Sequence, residues 1–397
     1  MRLPRMRFFC TSLLIFCFFL IGCRTDDPQD SEPVILEDGT VELPPREQDY
    51  DASLVKWGFL NLAGQIAIPP QFDDTRDFSQ DRAVVRIGGR WGYIDRRGEV
   101  VIEPKYRAAY TFHEDRARIH TDEDRWGYLD PGGREVIPPT YLNARDFSAG
   151  MARVQIESGL YGFVNPDGEL TIPAIYERAG NFTPEGYAPV KKERYGLIDR
   201  SGREILPFEY ESVKDPVNGA VRVKKGGKFG IVDLKNKILL ETRYDALTDF
   251  HLGLAGFLQD DKWGLLDRSG KVVVEPIYNQ LWFAGDKRWA VERTGKYGFL
   301  GPDGAIKIPL VFDQVQSFSE ERAGYMLGET WGYIDIDGNT ITPAKYYLIY
   351  PYVGRLARAI DRQGNVFIDK SGREKLRPGF WEIRDFHGGL VRAQIPQ

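Results

Sequence analysis

The chain has 397 residues, 42% hydrophobic and 13% aromatic, with 53 Lys and Arg against 58 Asp and Glu for a formal charge of −5. That balance leaves no general basic footprint for nucleic acid. All three cysteines, Cys10, Cys17 and Cys23, stand at the amino-terminal end, so the rest of the chain has no thiol for a disulfide, a redox pair or a zinc cluster.

At the start, Arg2, Arg5 and Arg7 precede or flank an apolar run from Phe8 to Ile21. This is the charge and hydropathy pattern of a secretion signal over residues 1–22, and its apolar run is too short to span a bilayer comfortably. The run ends in Leu20-Ile21-Gly22-Cys23, which resembles the lipobox of bacterial lipoproteins. The resemblance implies that Cys23 becomes the mature N-terminus and carries acyl chains, each buried methylene contributing about 0.8 kcal/mol to anchoring. Residues 23–50 then read as an acidic flexible tether: from 24 on there are nine acidic side chains and four prolines, with Arg24 and Arg46 as the only bases. As a coil it reaches roughly 30 Å. Arg24-Thr25-Asp26-Asp27 resembles the acidic stretch after the cysteine in surface-exposed lipoproteins of the Bacteroidetes, which implies the outer membrane or cell surface, with a periplasm-facing array as the alternative.

From residue 51 to 397 one motif recurs, an aromatic residue followed by glycine: Trp57-Gly58, Trp91-Gly92, Trp126-Gly127, Tyr161-Gly162, Tyr195-Gly196, Phe229-Gly230, Trp263-Gly264, Tyr297-Gly298 and Trp331-Gly332, with a degenerate copy at Asn365-Val366. The interval is about 34 residues throughout, the mark of a tandem array of one small unit. Each copy reads as three short strands. Strand A carries the motif, as in Arg90 to Asp95, with Trp91 and Tyr93 on one face and Gly92 and Ile94 on the other. Glycine there permits close approach of a neighbouring backbone or ring. An Asp-x-x-Gly turn follows, with Asn236 replacing glycine in the sixth copy, as a left-handed turn position allows. Strand B is Val100-Val101-Ile102, usually followed by a proline and then an aromatic such as Tyr106. A loop with a recurring Phe, for example Phe78 and Phe112, leads to strand C, such as Ala83 to Ile87. A period of 34 also suits helical tetratricopeptide arrays, but proline and several glycines per copy would break those helices.

Lys262-Trp263-Gly264-Leu265-Leu266-Asp267-Arg268-Ser269-Gly270 and its siblings resemble the WG, or KWG, repeats of bacterial proteins. The resemblance implies an all-β repeat protein, often secreted or membrane-attached, with no shared catalytic residues and a binding role. The array begins on strand A and ends on strand C, so the two chain ends hold complementary halves of one hairpin. This phase suits a propeller-like toroid in which the ends pair, with an open β-superhelix as the alternative.

Trp57, Gly58, Trp91, Gly92, Trp126, Gly127, Trp263, Gly264, Trp331 and Gly332 are expected to serve packing. Trp282 and Trp289 fall outside that slot and are candidates for partner contact. Lys191, Lys192, Arg194, Lys224, Lys225 and Lys228 read as edge-strand charges. Of the four histidines, three follow the loop phenylalanine in copies four repeats apart, and each turn offers calcium one carboxylate; no metal or cofactor is expected. No phosphate loop or nucleophile elbow occurs, and no catalytic residue is assigned. The expectation is a lipid-anchored cell-envelope scaffold for protein or glycan partners, with no nucleic acid. The alternatives are a glycan-active enzyme with carboxylates in a central cleft, or a purely structural envelope protein.

Overall fold

The computed structural model describes residues 34–35, 41–42, 55–379 and 382–396. The signal segment, Cys23, most of the tether and the aromatic at Phe380 lie outside the described residues. The chain divides into two units, Met1–Asp51 and Ala52–Gln397. In the first, Val34–Ile35 and Val41–Glu42 form a two-residue antiparallel ladder.

The second unit is a ten-bladed β-propeller of small antiparallel sheets, with no helix among the described residues. Each blade straddles a repeat boundary. In the blade built on Trp91 the spatial order is Asp74–Thr75, Ala83–Ile87, Arg90–Ile94 and Val100–Tyr106. Strand C of one copy is thus hydrogen-bonded to strand A of the next, and a fourth strand of two residues precedes strand C. That fourth strand corrects the three-stranded reading, and its brevity is how four strands fit in about 34 residues. Two blades have three named strands, and in both an isolated bridge, Leu247 with Phe257 or Ile383 with Ala393, takes the place of the fourth.

The two chain ends meet in one blade. Val55–Asn61 pairs antiparallel with Leu390–Pro396 along seven residues, from Val55 opposite Pro396 to Asn61 opposite Leu390. A side-chain contact repeats at this seam as well. In most copies the turn glycine abuts a strand B side chain of the preceding blade, as Gly98 abuts Ile68, and Gly64 of the first copy abuts Leu376 of the tenth. Closure removes the two ends that an open superhelix would expose.

The aromatic-glycine pair has a local cause. Trp91 faces Tyr106 and Tyr93 faces Ile102, so two residues of strand A oppose four of strand B and strand B bulges. The bulging backbone passes over the glycine: a Cβ at Gly92 would lie 2.4 Å from the Ile102 carbonyl oxygen, and at Gly58 2.7 Å from that of Ile68. The close neighbour is therefore the repeat's own strand B. In the tenth copy strand B is only Glu374–Leu376 and ends before the bulge, which is why Val366 is accommodated there.

Adjacent blades share their cores. Tyr93, Ile102 and Tyr106 on one face of a blade pack on Ala109, Ala117, Ile119 and Leu129 of the next, so rings meet small or aliphatic side chains. The residue after the motif glycine also meets the loop ring further along the chain, as in Tyr93 with Phe112 at 5.2 Å and Phe163 with Phe182 at 4.8 Å. Such tilted and edge-on pairs add to the burial of the rings themselves.

The Asp-x-x-Gly turns repeat one hydrogen-bond pattern. Asp95 Oδ1 accepts from the amides of Arg97 (2.9 Å) and Glu99 (3.0 Å), and Asn61 and Asn165 do the same in their copies. Where Gly301 replaces the carboxylate, Asp303 accepts from Ala305 instead. Asn236 is in the left-handed region at φ 61°. Hydrogen bonds from the Ser269 hydroxyl and the amides of Ser269 and Lys271 hold the Asp267 carboxyl below its ordinary range, against a burial contribution that raises it. Ser371 and Arg373 do this at Asp369. A depressed folded-state pKa gives stability that is present above the unfolded value and lost as pH falls through the folded one. Acid titration followed by circular dichroism should therefore show unfolding that steepens below about pH 4. Asp267→Asn with Asp369→Asn should flatten that loss and leave neutral-pH stability nearly unchanged, since Asn61 and Asn165 already fill this role.

Candidate functional site

In a closed ring, equivalent points of neighbouring blades approach one another in proportion to their distance from the axis. The loop between the two-residue strand and strand C makes such contacts: the amide of Phe318 donates to the Ala284 carbonyl, the residue one repeat earlier, at 2.6 Å. Ser79 Oγ donates to the Phe112 carbonyl and Ser319 Oγ to that of Tyr352, both at 2.7 Å. These loops therefore form the innermost ring of the propeller. Strand B, at the opposite edge of each sheet, lies outermost.

The innermost ring is held by charges that cross between blades. Arg118 Nε donates to Asp146 at 2.6 Å, and Arg392 forms an ion pair with Asp77 at 2.9 Å; Arg222 with Asp249 and Arg358 with Asp385 repeat the ion pair. The Arg118 guanidinium also lies 3.6 Å from the centre of the Tyr110 ring, and that of Arg358 3.5 Å from Tyr350. Arg153 occupies the same place in its blade, but Asn181 stands where the others have aspartate. Burial, with Arg145 beside it, holds the Arg153 guanidinium below its ordinary range.

At the tips of these loops are two-residue turns in the left-handed region. Gln80-Asp81, Glu114-Asp115, Asp286-Lys287 and Glu320-Glu321 all have positive φ, whereas Gly388-Gly389 puts glycine at both places. Longer side chains at positive φ cost about 1–2 kcal/mol per residue relative to glycine. The first residue has a structural use: Gln80 accepts from the Asp115 amide at 3.0 Å, Glu114 from Gly150 at 2.8 Å and Asp286 from Glu321 at 2.7 Å. The second, as at Asp115 and Glu321, is exposed. Sequence reasoning missed this ring. The recurring Asp-Phe pairs, Asp77-Phe78, Asp146-Phe147, Asp249-Phe250 and Asp385-Phe386, are the signal that marks its carboxylates.

The two candidate tryptophans behave differently. Trp282 is half-buried at the innermost edge, with its Nε1 donating to Ser317 Oγ at 3.2 Å and its ring edge-on to Tyr297. Trp289 is fully buried, which corrects its reading as a partner contact. The reason is a swap of volume between two positions. The seventh copy has Ala284 where the sixth has Phe250, and Trp289 where the sixth has Ala255, so the indole fills the space the phenylalanine fills elsewhere. His251 completes the packing, stacked on Phe283 at 4.2 Å and edge-on to Trp289.

Of the motif tryptophans, Trp57 is buried and Trp91, Trp126, Trp263 and Trp331 are half-buried against their own sheets. The basic residues from Lys191 to Lys228 lie on or beside the hairpins between strands C and A, the middle strands of their sheets, which corrects their reading as edge charges. There they pair with carboxylates, Lys191 with Glu177 and Lys225 with Glu209 at 2.9 Å.

A cavity of about 450 Å³ opens at the seam between the sixth strand B and the following blade, with Tyr244, Asp245, Phe257, Leu258 and Leu266 among its walls.

The model of the WG-containing repeat matches residues 57–91, 91–122, 126–159, 161–194, 195–229, 229–263, 263–287, 297–331 and 331–359, nine of the ten copies that build the blades. The chain belongs to the WG-repeat family. No curated protein matches its sequence. Among solved structures, the WG array is similar to a eukaryotic initiation factor, with 12% identity, TM-score 0.48, and 75% of this chain and 95% of that one covered. It is also similar to BamB from Moraxella catarrhalis, with 15% identity, TM-score 0.33, and 61% and 84% covered. PorZ of the type-IX secretion system of Porphyromonas gingivalis overlaps with 11% identity, TM-score 0.25, and 81% and 53% covered. Overlaps this loose say nothing about what the WG array does.

The volume swap makes a testable cycle. Trp289→Ala should destabilise the array by about 3–5 kcal/mol and Ala284→Phe alone by about 1–3 kcal/mol. The double variant, which recreates the sixth copy's arrangement, should recover most of the loss. Trp282→Ala should cost far less than Trp289→Ala. Melting temperatures of the four variants provide the check.

Proposed function

We propose that this protein is a lipid-anchored interaction scaffold of the cell envelope, which binds protein or glycan partners through the loops of its innermost ring. The repeat architecture supports a binding role. One observation carries the choice of surface: residues shared between copies are used up in packing, turn capping and blade-to-blade pairing, whereas the left-handed turn tips differ from copy to copy and carry exposed side chains where glycine would be less strained. Strain retained at an exposed position points to a use for the side chain. The signal pattern, Cys23 and the acidic tether support anchoring at the outer membrane or cell surface with the array held off the lipid. The reading includes no cofactor, metal or catalytic residue.

Asp115→Gly and Glu321→Gly test the surface. Each should raise stability, by up to about 1 kcal/mol, and weaken binding on glycan arrays or to cross-linked envelope proteins. Variants that become more stable and bind as well as wild type would refute the choice of surface. For the anchor, labelled palmitate should enter the wild-type protein and be absent from Cys23→Ala; an unlabelled wild type removes the lipid.

A second reading, a glycan-active enzyme, draws on one feature. Burial, with Asp249 nearby, raises the Asp215 carboxyl above its ordinary range in the innermost ring. Asp249 is itself paired with Arg222, which weakens the pair as an acid and base. Hydrolysis of a carbohydrate panel by wild type but not by Asp215→Asn would favour this reading.

A further inference from the structure

The arginine–aspartate pairs of the innermost ring are one device used four times. An arginine of strand C reaches across a seam to an aspartate on the loop of the next copy: Arg118 to Asp146, Arg222 to Asp249, Arg358 to Asp385 and Arg392 to Asp77. In three of the four the guanidinium is also steered by main chain. Its Nη1 donates to the carbonyl two residues before the aspartate, as Arg118 does to Ala144, Arg222 to Leu247 and Arg392 to Thr75. With Nη1 held there, Nε faces the carboxylate.

Arg153 keeps the steering contact and lacks the carboxylate. Its Nη1 donates to the carbonyl of Ala179, again two residues before the matching position, which is Asn181. Its place over Tyr161, 5.3 Å from the ring centre, parallels that of Arg118 over Trp126 at 5.4 Å. Among the described residues Arg153 forms no ion pair, and its buried Nε has no hydrogen-bond partner. The buried Nε of Arg222 and of Arg392 also lacks a well-aligned hydrogen bond, but a carboxylate oxygen stands 3.1 Å from the first and 2.9 Å from the second. Where Arg118 and Arg358 have a stacked tyrosine, Arg153 has Arg145, which is exposed and forms no ion pair among the described residues. Two cations thus share a place shaped for one carboxylate. A part-buried charge without its partner opposes folding, so its retention points to a ligand that supplies the partner.

We infer that Arg153, Arg145 and Asn181 form a subsite of the innermost ring for the carboxylate of an aspartate or glutamate side chain on a partner protein. The inference rests on that ring being the binding surface and adds the chemistry of what it takes. A guanidinium edge matches a carboxylate bidentately, as Arg222 meets both oxygens of Asp249. Asn181 is exposed, adds an amide donor and brings no negative charge to repel the incoming group. Four sister seams show the occupant this geometry fits, a carboxylate at the end of a short side chain delivered on a loop. The next seam favours a polypeptide over an acidic polysaccharide. Asp215 stands at its aspartate position, but Pro189, opposite Leu197 as Arg222 is opposite Ile231, takes the place of the arginine. Asp215 forms no ion pair among the described residues. A polysaccharide with a negative charge on sugar after sugar is repelled there, whereas a polypeptide follows its acidic residue with a neutral or basic one.

The test pans a random-peptide display library against the full-chain protein, with Asn181→Asp as the counter-selection, and measures enriched peptides by fluorescence anisotropy. These peptides should share an aspartate or glutamate, and its change to the amide should weaken binding by at least about tenfold. Asn181→Asp installs the acid of the four sister seams and is compatible with the fold for that reason. It should raise the melting temperature and weaken peptide binding by at least about tenfold, because the protein's own carboxylate then occupies the place. Asn181→Ser should do neither, binding within about threefold of wild type. The inference is overturned if no peptide is enriched over the counter-selection, if the enriched peptides share no acidic residue, or if Asn181→Asp binds them as wild type does. Polygalacturonate that binds wild type and not Asn181→Asp, with no acidic peptide enriched, would replace the protein partner by a glycan. Asp115→Gly and Glu321→Gly leave this seam intact. If they weaken binding and Asn181→Asp does not, the turn-tip surface stands and the carboxylate subsite falls.

Discussion

The hydrogen-bonded ladder between strand C of one repeat and strand A of the next is the interaction on which the remaining structure depends. Because every blade is assembled across a repeat boundary, no copy completes a sheet alone, and each must be followed by another. The same requirement leaves the first strand A and the last strand C unpaired unless they find each other. Val55–Asn61 and Leu390–Pro396 do so, which turns a linear array into a ring. Once the ring exists, the stacking of rings on small side chains, the glycine contacts between blades and the arginine–aspartate pairs of four blades follow from one geometry carried from blade to blade.

Much of this was legible in the amino-acid sequence because repetition supplies an internal alignment. The period, the alternation in strand A, the Asp-x-x-Gly turns and the phase of the two ends all rest on local chemistry that recurs in register. The fourth strand was not legible, because two residues are too few to show alternation. The reason for the motif glycine was only half legible. Close approach was expected, but identifying strand B as the neighbour requires the two-against-four register that places its backbone over Gly92. Trp289 was misread because its burial depends on Ala284, a loss of volume at another position of the same copy. Single residues out of pattern look functional until the compensating change is seen.

The sixth and seventh copies gather most of the departures from the common plan. The proline is missing from strand B, the blade that follows has three named strands, phenylalanine and alanine trade places with alanine and tryptophan, and the cavity lies at this seam. A symmetric ring presents ten equivalent outer edges, and indifference among them gives no direction to an assembly. Irregularity at this seam, as at the closing blade, breaks that symmetry and gives the ring distinguishable positions.

Assembly across boundaries also bears on how such a protein grows. A gene that gains or loses one whole unit through unequal recombination delivers a chain that still starts on strand A and finishes on strand C. The two terminal segments remain matched whatever the copy number. Ring circumference is thereby open to change by duplication, with the wedge between neighbouring blades, and not the join, deciding which counts can close.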